Sequence, residues 1–441
     1  MKVTQFYNEE YLQSANYQSF RTIASYIDGL KNGARKIIYT VDKYNITSDL
    51  KVSQLGSKVA EETEYLHGEV SLYSTIVGLA QTYPGSNNIN LLQPEGNFGT
   101  RFIPEASAGR YIYTKKTKIF DTIFNKDDKQ ILIPQQFEGE VIEPKFFTPI
   151  IPLILINGSE GIGNGFAQKI LQRDHKEIIS IIENYLKKGE KIPKQIVPYV
   201  KGYKGSIKLN DGKVEIIGKI DVVNSNTLKI SEIPFTYNLQ SYKNVLVDLE
   251  EKKIIKSFDD KSENDNYEFY IDCTREFTKT PMNELLDIFK LVKKVTENFT
   301  CIDENNAIIE FKDEKELLAA YIKIRLDYYV KRKKALLASL DDEAALYSNK
   351  ILFIESVVNG SIIVNNKSKA DIEKQITKVK IKKIEESYDY LLRMPIYSLT
   401  KEKIEELKKQ LSDTQIKITE LKDKTEKDLW ITDLENLKKV L

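Results

Sequence analysis

Beyond about residue 313 the chain carries an apolar stripe that only a long helix can present. Ile322, Leu326, Tyr329, Leu336, Leu340, Ala344, Tyr347, Ile351, Ile354 and Val358 step by three and four, interrupted at Lys333, the spacing that lines side chains along one helical face. Ile404, Leu407, Leu411, Ile418 and Leu421 repeat it near the end. Asn359-Gly360 and Met394-Pro395 break the pattern, so two long helices are expected to fold back as an antiparallel coiled-coil stalk with a helical cap between. Such a stalk cannot bury its whole apolar face alone and points to a dimer contact at its tip.

A chain of 441 residues exceeds what one core fills. The expected class is multi-domain α+β, with a helix-turn-helix domain at 1–185, a strand-rich domain at 186–312, and the stalk at 313–441. In the first part, helical spacing covers Gly33–Tyr44, Val52–Tyr65 and Val70–Tyr83. The last two are separated only by Leu66-His67-Gly68-Glu69, a helix-turn-helix signature that would aim the second helix at a duplex groove. The β-branched run Pro149–Ile156, closed by Asn157-Gly158, predicts a buried strand. From about 200 to 275 the pattern alternates, as in Gly205–Leu209, Val214–Ile217 and Thr227–Ile230, with Asn210-Asp211-Gly212 as a hairpin turn.

Charge decides how a nucleic acid could bind. With 66 basic and 65 acidic residues the net charge is +1, which excludes wholesale electrostatic binding and favours a local groove. Two cysteines without metal-ligand spacing fit a reducing compartment and not a zinc site. The start Met1–Asn8 lacks the apolar core of a signal peptide, and no window approaches a bilayer span. A cytoplasmic protein is expected.

One local patch stands out. Leu91-Leu92-Gln93-Pro94-Glu95-Gly96-Asn97-Phe98-Gly99-Thr100-Arg101 is followed at once by Ala106-Ser107-Ala108-Gly109-Arg110-Tyr111. Tyrosine is a poor nucleophile near neutral pH, because its phenol titrates near roughly pH 10. A working one needs a cation beside it, and Arg110 supplies one. Asn97 and Arg101 add phosphate donors, and residues 90–120 carry five basic against two acidic side chains, so an anionic partner is expected. The tyrosine alone is weak evidence among 25.

Ordered motifs strengthen it. Arg21-Thr22-Ile23-Ala24-Ser25-Tyr26-Ile27-Asp28-Gly29-Leu30-Lys31-Asn32-Gly33-Ala34-Arg35-Lys36, Tyr65-Leu66-His67-Gly68-Glu69, the Leu91–Tyr111 segment, Asn157–Gly165 and Tyr388–Pro395 together resemble the breakage-reunion part of type IIA DNA topoisomerases. The resemblance spans residues 20–437, is nearest in wording to the eukaryotic enzyme, and in length suggests the stand-alone cleavage subunit of T-even-type phages; it implies that 1–185 is a winged-helix DNA-gate domain and 186–312 a tower domain. Alanine at 24, asparagine at 32 and leucine at 66 depart from the proline, proline and second histidine that the family often has.

The resemblance implies that Tyr111 attacks a DNA phosphorus to form a 5′-phosphotyrosyl link, with Arg110 stabilising the charge and His67 beside the scissile phosphate. Arg35, Lys36, Asn97 and Arg101 would contact phosphates, and Ile162 would wedge between base pairs. It implies no metal site in this chain: Mg2+ would be held chiefly, and ATP used, by a partner subunit bearing Toprim and ATPase domains. Double-stranded DNA and a second copy of the chain are the other expected partners, with no membrane. His175 is expected to be structural, and the acidic run Asp259–Asp265 a solvated loop. Two alternatives stay open: a DNA-bending or tethering protein without cleavage activity, and a gyrase-like cleavage chain, disfavoured because no DNA-wrapping segment follows residue 441.

Overall fold

A computed structural model describes residues 3–210, 212–384 and 386–441. Two compact units divide the chain: Met1–Leu326 with Ile431–Leu441, and Asp327–Trp430.

In the first unit the expected helices form at Asn32–Lys43, Val52–Glu62 and Glu69–Ala80. Ile37, Ile38, Val41, Val52, Leu55, Val59, Leu72 and Ile76 are fully buried, which is the apolar face that the spacing promised. The second helix stops at Glu62, three residues short of the expected Tyr65. There the Thr63 carbonyl accepts from the Lys36 ammonium at 2.7 Å, and Glu64 turns left-handed at φ 46°. Gly56 permits the two turn helices to touch, since a Cβ there would lie 2.3 Å from the Tyr73 ring. Strands Leu50–Lys51, Tyr113–Lys116 and Leu92–Glu95 form a small antiparallel sheet with Tyr113–Lys116 in the centre.

The run Pro149–Ile156 is buried as expected but is not a strand. Leu153–Ile156 makes one helical turn, with Pro152 O accepting from Leu155 and Ile156. Gly29 explains the choice: a Cβ on it would lie 2.4 Å from Ile154 N, so backbone packs directly on backbone there. Tertiary contact overrides β propensity. Beyond the turn, strands Ser159–Ile162 and Ala167–Ile170 form a hairpin, anchored by Gln168, whose amide bonds Ala24 N, Ala24 O and Thr300 O. Ala24 N donates in this set at 3.0 Å, which a proline could not do.

The strand-rich region contains an antiparallel sheet ordered Lys219–Asn224, Thr227–Glu232, Phe269–Asp272, Ser257–Asp260, and a second ordered Val292–Val295, Lys213–Ile217, Ser206–Asn210. The hairpin at 210–213 is present, with Asn210 opposite Lys213; Asp211 lies outside the described residues. Helix Leu239–Glu251 starts from an Asn238–Ser241 capping box and buries Tyr242, Leu246 and Leu249 against the first sheet. The acidic run is only partly a loop. Asp259 and Asp260 end an edge strand, and Asp260 pairs with Lys243 at 2.6 Å.

Helix Glu314–Val358 begins in the first unit, and its greater part belongs to the second. Within the second unit it runs antiparallel to Lys401–Asp423: Ile351 and Ile354 meet Ile404 and Leu407, while Lys333 reaches the Lys422 and Lys424 carbonyls. The interruption of the stripe at Lys333 is thus a cap on the opposing helix's end. Leu336, Leu340, Ala344 and Tyr347 stay half-buried, because one facing helix covers only one side. The cap between the helices has its own core of Phe353, Ile362, Ile376, Ile381, Tyr388 and Leu391.

Candidate active site

The first N–H groups of a helix lack intrahelical partners. At Val52–Glu62 they are taken by the tyrosine loop: Val52 N donates to Ile112 O and Ser53 N to Gly109 O, each at 3.0 Å. Gly109 packs closely there, since a Cβ would sit 3.3 Å from Val52 Cγ1. Gly99, at φ +85° and with its Cβ position 2.3 Å from Pro104 O, closes the loop upstream. So clamped, the loop presents Tyr111 at 68% exposure, with the Arg110 guanidinium 5.2 Å from its ring centroid. No carboxylate pairs with Arg110 among the described residues. Beside it, a groove of about 670 Å3 runs between residues 105–110 and Val70, Tyr73, Ser74 and Val77 of the second turn helix.

His67 stands in the turn, half-buried. Its Nε2 lies 2.6 Å from the Tyr17 hydroxyl, and Tyr65 meets its ring edge-on at 5.4 Å. Burial, then the charge of Arg21, holds its pKa below the ordinary imidazole value, so the ring is neutral at pH 7. Its neighbour Leu66 is exposed and offers no polar atom. Helix Leu12–Thr22, which carries Tyr17 and Arg21, is not foreseen from the sequence; it buries only Ser19 and shows no apolar stripe to find.

Ile162 ends its strand at 77% exposure, held out by close backbone packing behind it. A Cβ on Gly161 would lie 1.9 Å from Thr22 O. Lys31 supports the same hairpin, donating to Glu160 O at 2.6 Å, and burial lowers its pKa.

Four expected phosphate contacts fare differently. Arg35 is 3% exposed, pairs with both oxygens of Asp28 and donates to Leu30 O. Lys36 is buried on Glu143 and Thr63 O. Arg101 is buried on Glu232 and Ile233 O, under the Tyr267 ring. These three are internal framework; Arg101 Nε has no hydrogen-bond partner among the described residues, but all three side chains are buried away from a bound duplex. Asn97 is exposed, but its side-chain oxygen accepts from Gly99 N at 2.9 Å, a turn-forming role. The basic run behind Tyr111 is also largely neutralised, with Lys115 on Asp49 and Lys116 on Asp121. His175 lies behind the Asp174 cap of helix His175–Lys188, away from the residues that line the groove.

Among the described residues no group of three or more His, Cys, Asp or Glu side chains is placed to hold a metal, and Glu105 is the one carboxylate lining the groove. That set does not fit an octahedral Mg2+ site by itself. No helix among the described residues is long and apolar enough to cross a membrane.

The family model for the A chain of DNA gyrase/topoisomerase IV matches residues 21–435. The chain is 36% identical to the mitochondrial DNA topoisomerase 2 of Dictyostelium discoideum, over 99% of this chain and 35% of that one. It is also 36% identical to DNA topoisomerase 2 of Plasmodium falciparum, over 99% and 34%. It thus spans about a third of the length of these relatives. A solved Plasmodium falciparum structure, the topoisomerase II DNA-binding, cleavage and re-ligation domain, superposes with a TM-score of 0.89 at 36% identity, covering 99% of this chain and 64% of that one. The chain belongs to the family of the DNA gyrase/topoisomerase IV A chains.

Proposed function

We propose that this chain cuts and reseals duplex DNA through Tyr111, as the cleavage part of a type II DNA topoisomerase. The observation that carries the reading is the exposed Tyr111 beside Arg110, which has no carboxylate partner among the described residues and lines the groove of the second turn helix, on a loop clamped to the start of the first. Tyr111 Oη attacks a backbone phosphorus, the P–O3′ bond breaks, and the phenolic proton leaves as the 3′-hydroxyl gains one. One phosphodiester replaces another, so the reverse step reseals the strand without an external energy source. Arg110 meets the charge that develops on the non-bridging oxygens, which preorganised donors stabilise best. His67, neutral, supplies an N–H to the same phosphate, and Ile162 enters the base stack to bend the duplex.

In this reading two copies act together, one cut per strand, and the tip of the antiparallel helices joins them. Mg2+ and ATP belong to a Toprim- and ATPase-bearing chain, an arrangement like that of a phage cleavage subunit. The test is an adduct assay with end-labelled duplex, Mg2+ and that partner chain. Protein should remain attached to 5′ ends after denaturation, and Tyr111→Phe should abolish the adduct. An adduct persisting in Tyr111→Phe overturns the assignment; DNA binding with no adduct in the unaltered protein supports a tethering role instead.

A further inference from the structure

His67 and Tyr17 lie 50 residues apart in sequence, yet their side chains meet at 2.6 Å. The contact has a direction that the charge state decides. A neutral imidazole carries one N–H and one bare acceptor nitrogen, and His67 is kept neutral by burial and by Arg21. A phenol near neutral pH is protonated, so its natural role toward a bare ring nitrogen is donor. Nε2 is the nitrogen engaged, and Nδ1 has no hydrogen-bond partner among the described residues. The rings of Tyr17 and Tyr65 flank the imidazole at 6.0 and 5.4 Å, restricting its rotation.

We propose that Tyr17 is a positioning residue for His67: its hydroxyl donates to Nε2 and holds the ring as the Nδ1–H tautomer, leaving Nδ1–H as the donor offered to a DNA phosphate. The inference rests on the role given to His67 under Proposed function. The groups facing the imidazole are Tyr17 and Arg21 from helix Leu12–Thr22 and Tyr65 from the turn. Glu69, the nearest carboxylate along the turn, is engaged by the Tyr73 hydroxyl. Arg21 lies 5.9 Å from the Tyr17 ring centroid and disfavours a second positive charge on the histidine. Leu66 contributes nothing polar, so Tyr17 is the hydroxyl available to orient the ring.

Tyr17 is more than half exposed, so Tyr17→Phe should fold. The chain has two histidines, which makes nitrogen-15 imidazole spectra of this chain readable, with His175 as internal reference. In the unaltered chain His67 should show a bare Nε2 and a protonated Nδ1. In Tyr17→Phe the population should move toward Nε2–H and the His67 pKa should rise, since a donor to the neutral ring is gone. With the partner chain present, adduct formation should slow about fivefold, the worth of roughly one hydrogen bond, and its acid limb should shift to higher pH. An unchanged tautomer in Tyr17→Phe, or a protonated Nε2 in the unaltered chain, overturns the proposal, as does a tautomer change with an unchanged cleavage profile. His67→Ala separates the two readings: full cleavage in that variant removes His67 from the reaction, whatever the spectra show.

Discussion

Arg35 and Arg110 are the same residue type in two regions that read alike in sequence, each close to a glycine and each in a segment rich in cations. In the structure they do opposite things. Arg35 is sealed against Asp28, while Arg110 lines the groove and pairs with no carboxylate among the described residues. What separates them is an acidic partner seven residues away in one case and its absence in the other. A cation already paired inside the protein has no charge to lend to a phosphate, so phosphate contacts belong to the unpaired set. The same logic assigns Lys36, with Glu143, and Arg101, with Glu232, to the framework.

The sharpest way to break this contrast is Arg35→Ala. Removing one member of a buried pair usually costs about 3–5 kcal/mol. Asp28 keeps donors from Leu30 N and Phe147 N, which places the expected loss near the lower figure, about 3 kcal/mol. Chemical denaturation should show it as a lower midpoint. At temperatures where the variant is folded, the dependence of DNA affinity on salt should match the unaltered protein. A flattened salt dependence with unchanged stability would mean that Arg35 reaches phosphate after all.

Arg110→Ala should give the mirror image. Its side chain is exposed, so the denaturation midpoint should hardly move. Adduct formation should fall roughly 10²- to 10³-fold, the usual effect of deleting one charge-stabilising donor. The salt slope of DNA binding should drop by about one phosphate contact's worth. A loss of stability without loss of cleavage would put Arg110 in the framework instead.

Element positions in the helix-turn-helix were legible because a 3.6-residue period survives wherever one helical face is buried, as at Ile37, Val41, Leu55, Val59 and Leu72. The glycine-framed loop was legible for a different reason: at Gly99 a positive φ and a close backbone contact demand a residue without a side chain. Long-range pairing was not. Nothing local says that Glu143 awaits Lys36 or that Glu232 awaits Arg101, so cations 107 and 131 residues from their partners looked free. The Leu153–Ile156 turn escaped for a related reason, because its conformation answers to Gly29 far upstream. Helix Leu12–Thr22 escaped because an exposed helix has no apolar face to announce it.

The two histidines extend the comparison at the smallest scale. Both have pKa values pushed below the ordinary imidazole range by burial; Arg21 adds to the effect at His67, while at His175 Asp174 opposes it and Lys176 and Lys201 assist. A lowered folded-state value means that the native form prefers the neutral ring. The stability it contributes is present above the unfolded pKa, near roughly 6.5, and is lost as pH falls through the lower folded value. For His175, whose Nδ1 is buried without a hydrogen-bond partner, that loss should appear in global stability. Its nearest carboxylate oxygen, on Asp174, is 3.6 Å away, too far for a hydrogen bond that would stabilise the imidazolium. Melting temperatures followed from about pH 8 to pH 5 should decline shallowly, and His175→Gln should flatten that decline. His67→Ala should move the melting profile far less, because its ring is only half-buried, and should lower adduct formation and change its pH dependence. If the two variants exchanged signatures, the histidine carrying structure would be the one in the turn, and the division between framework and working groups would have to be redrawn there.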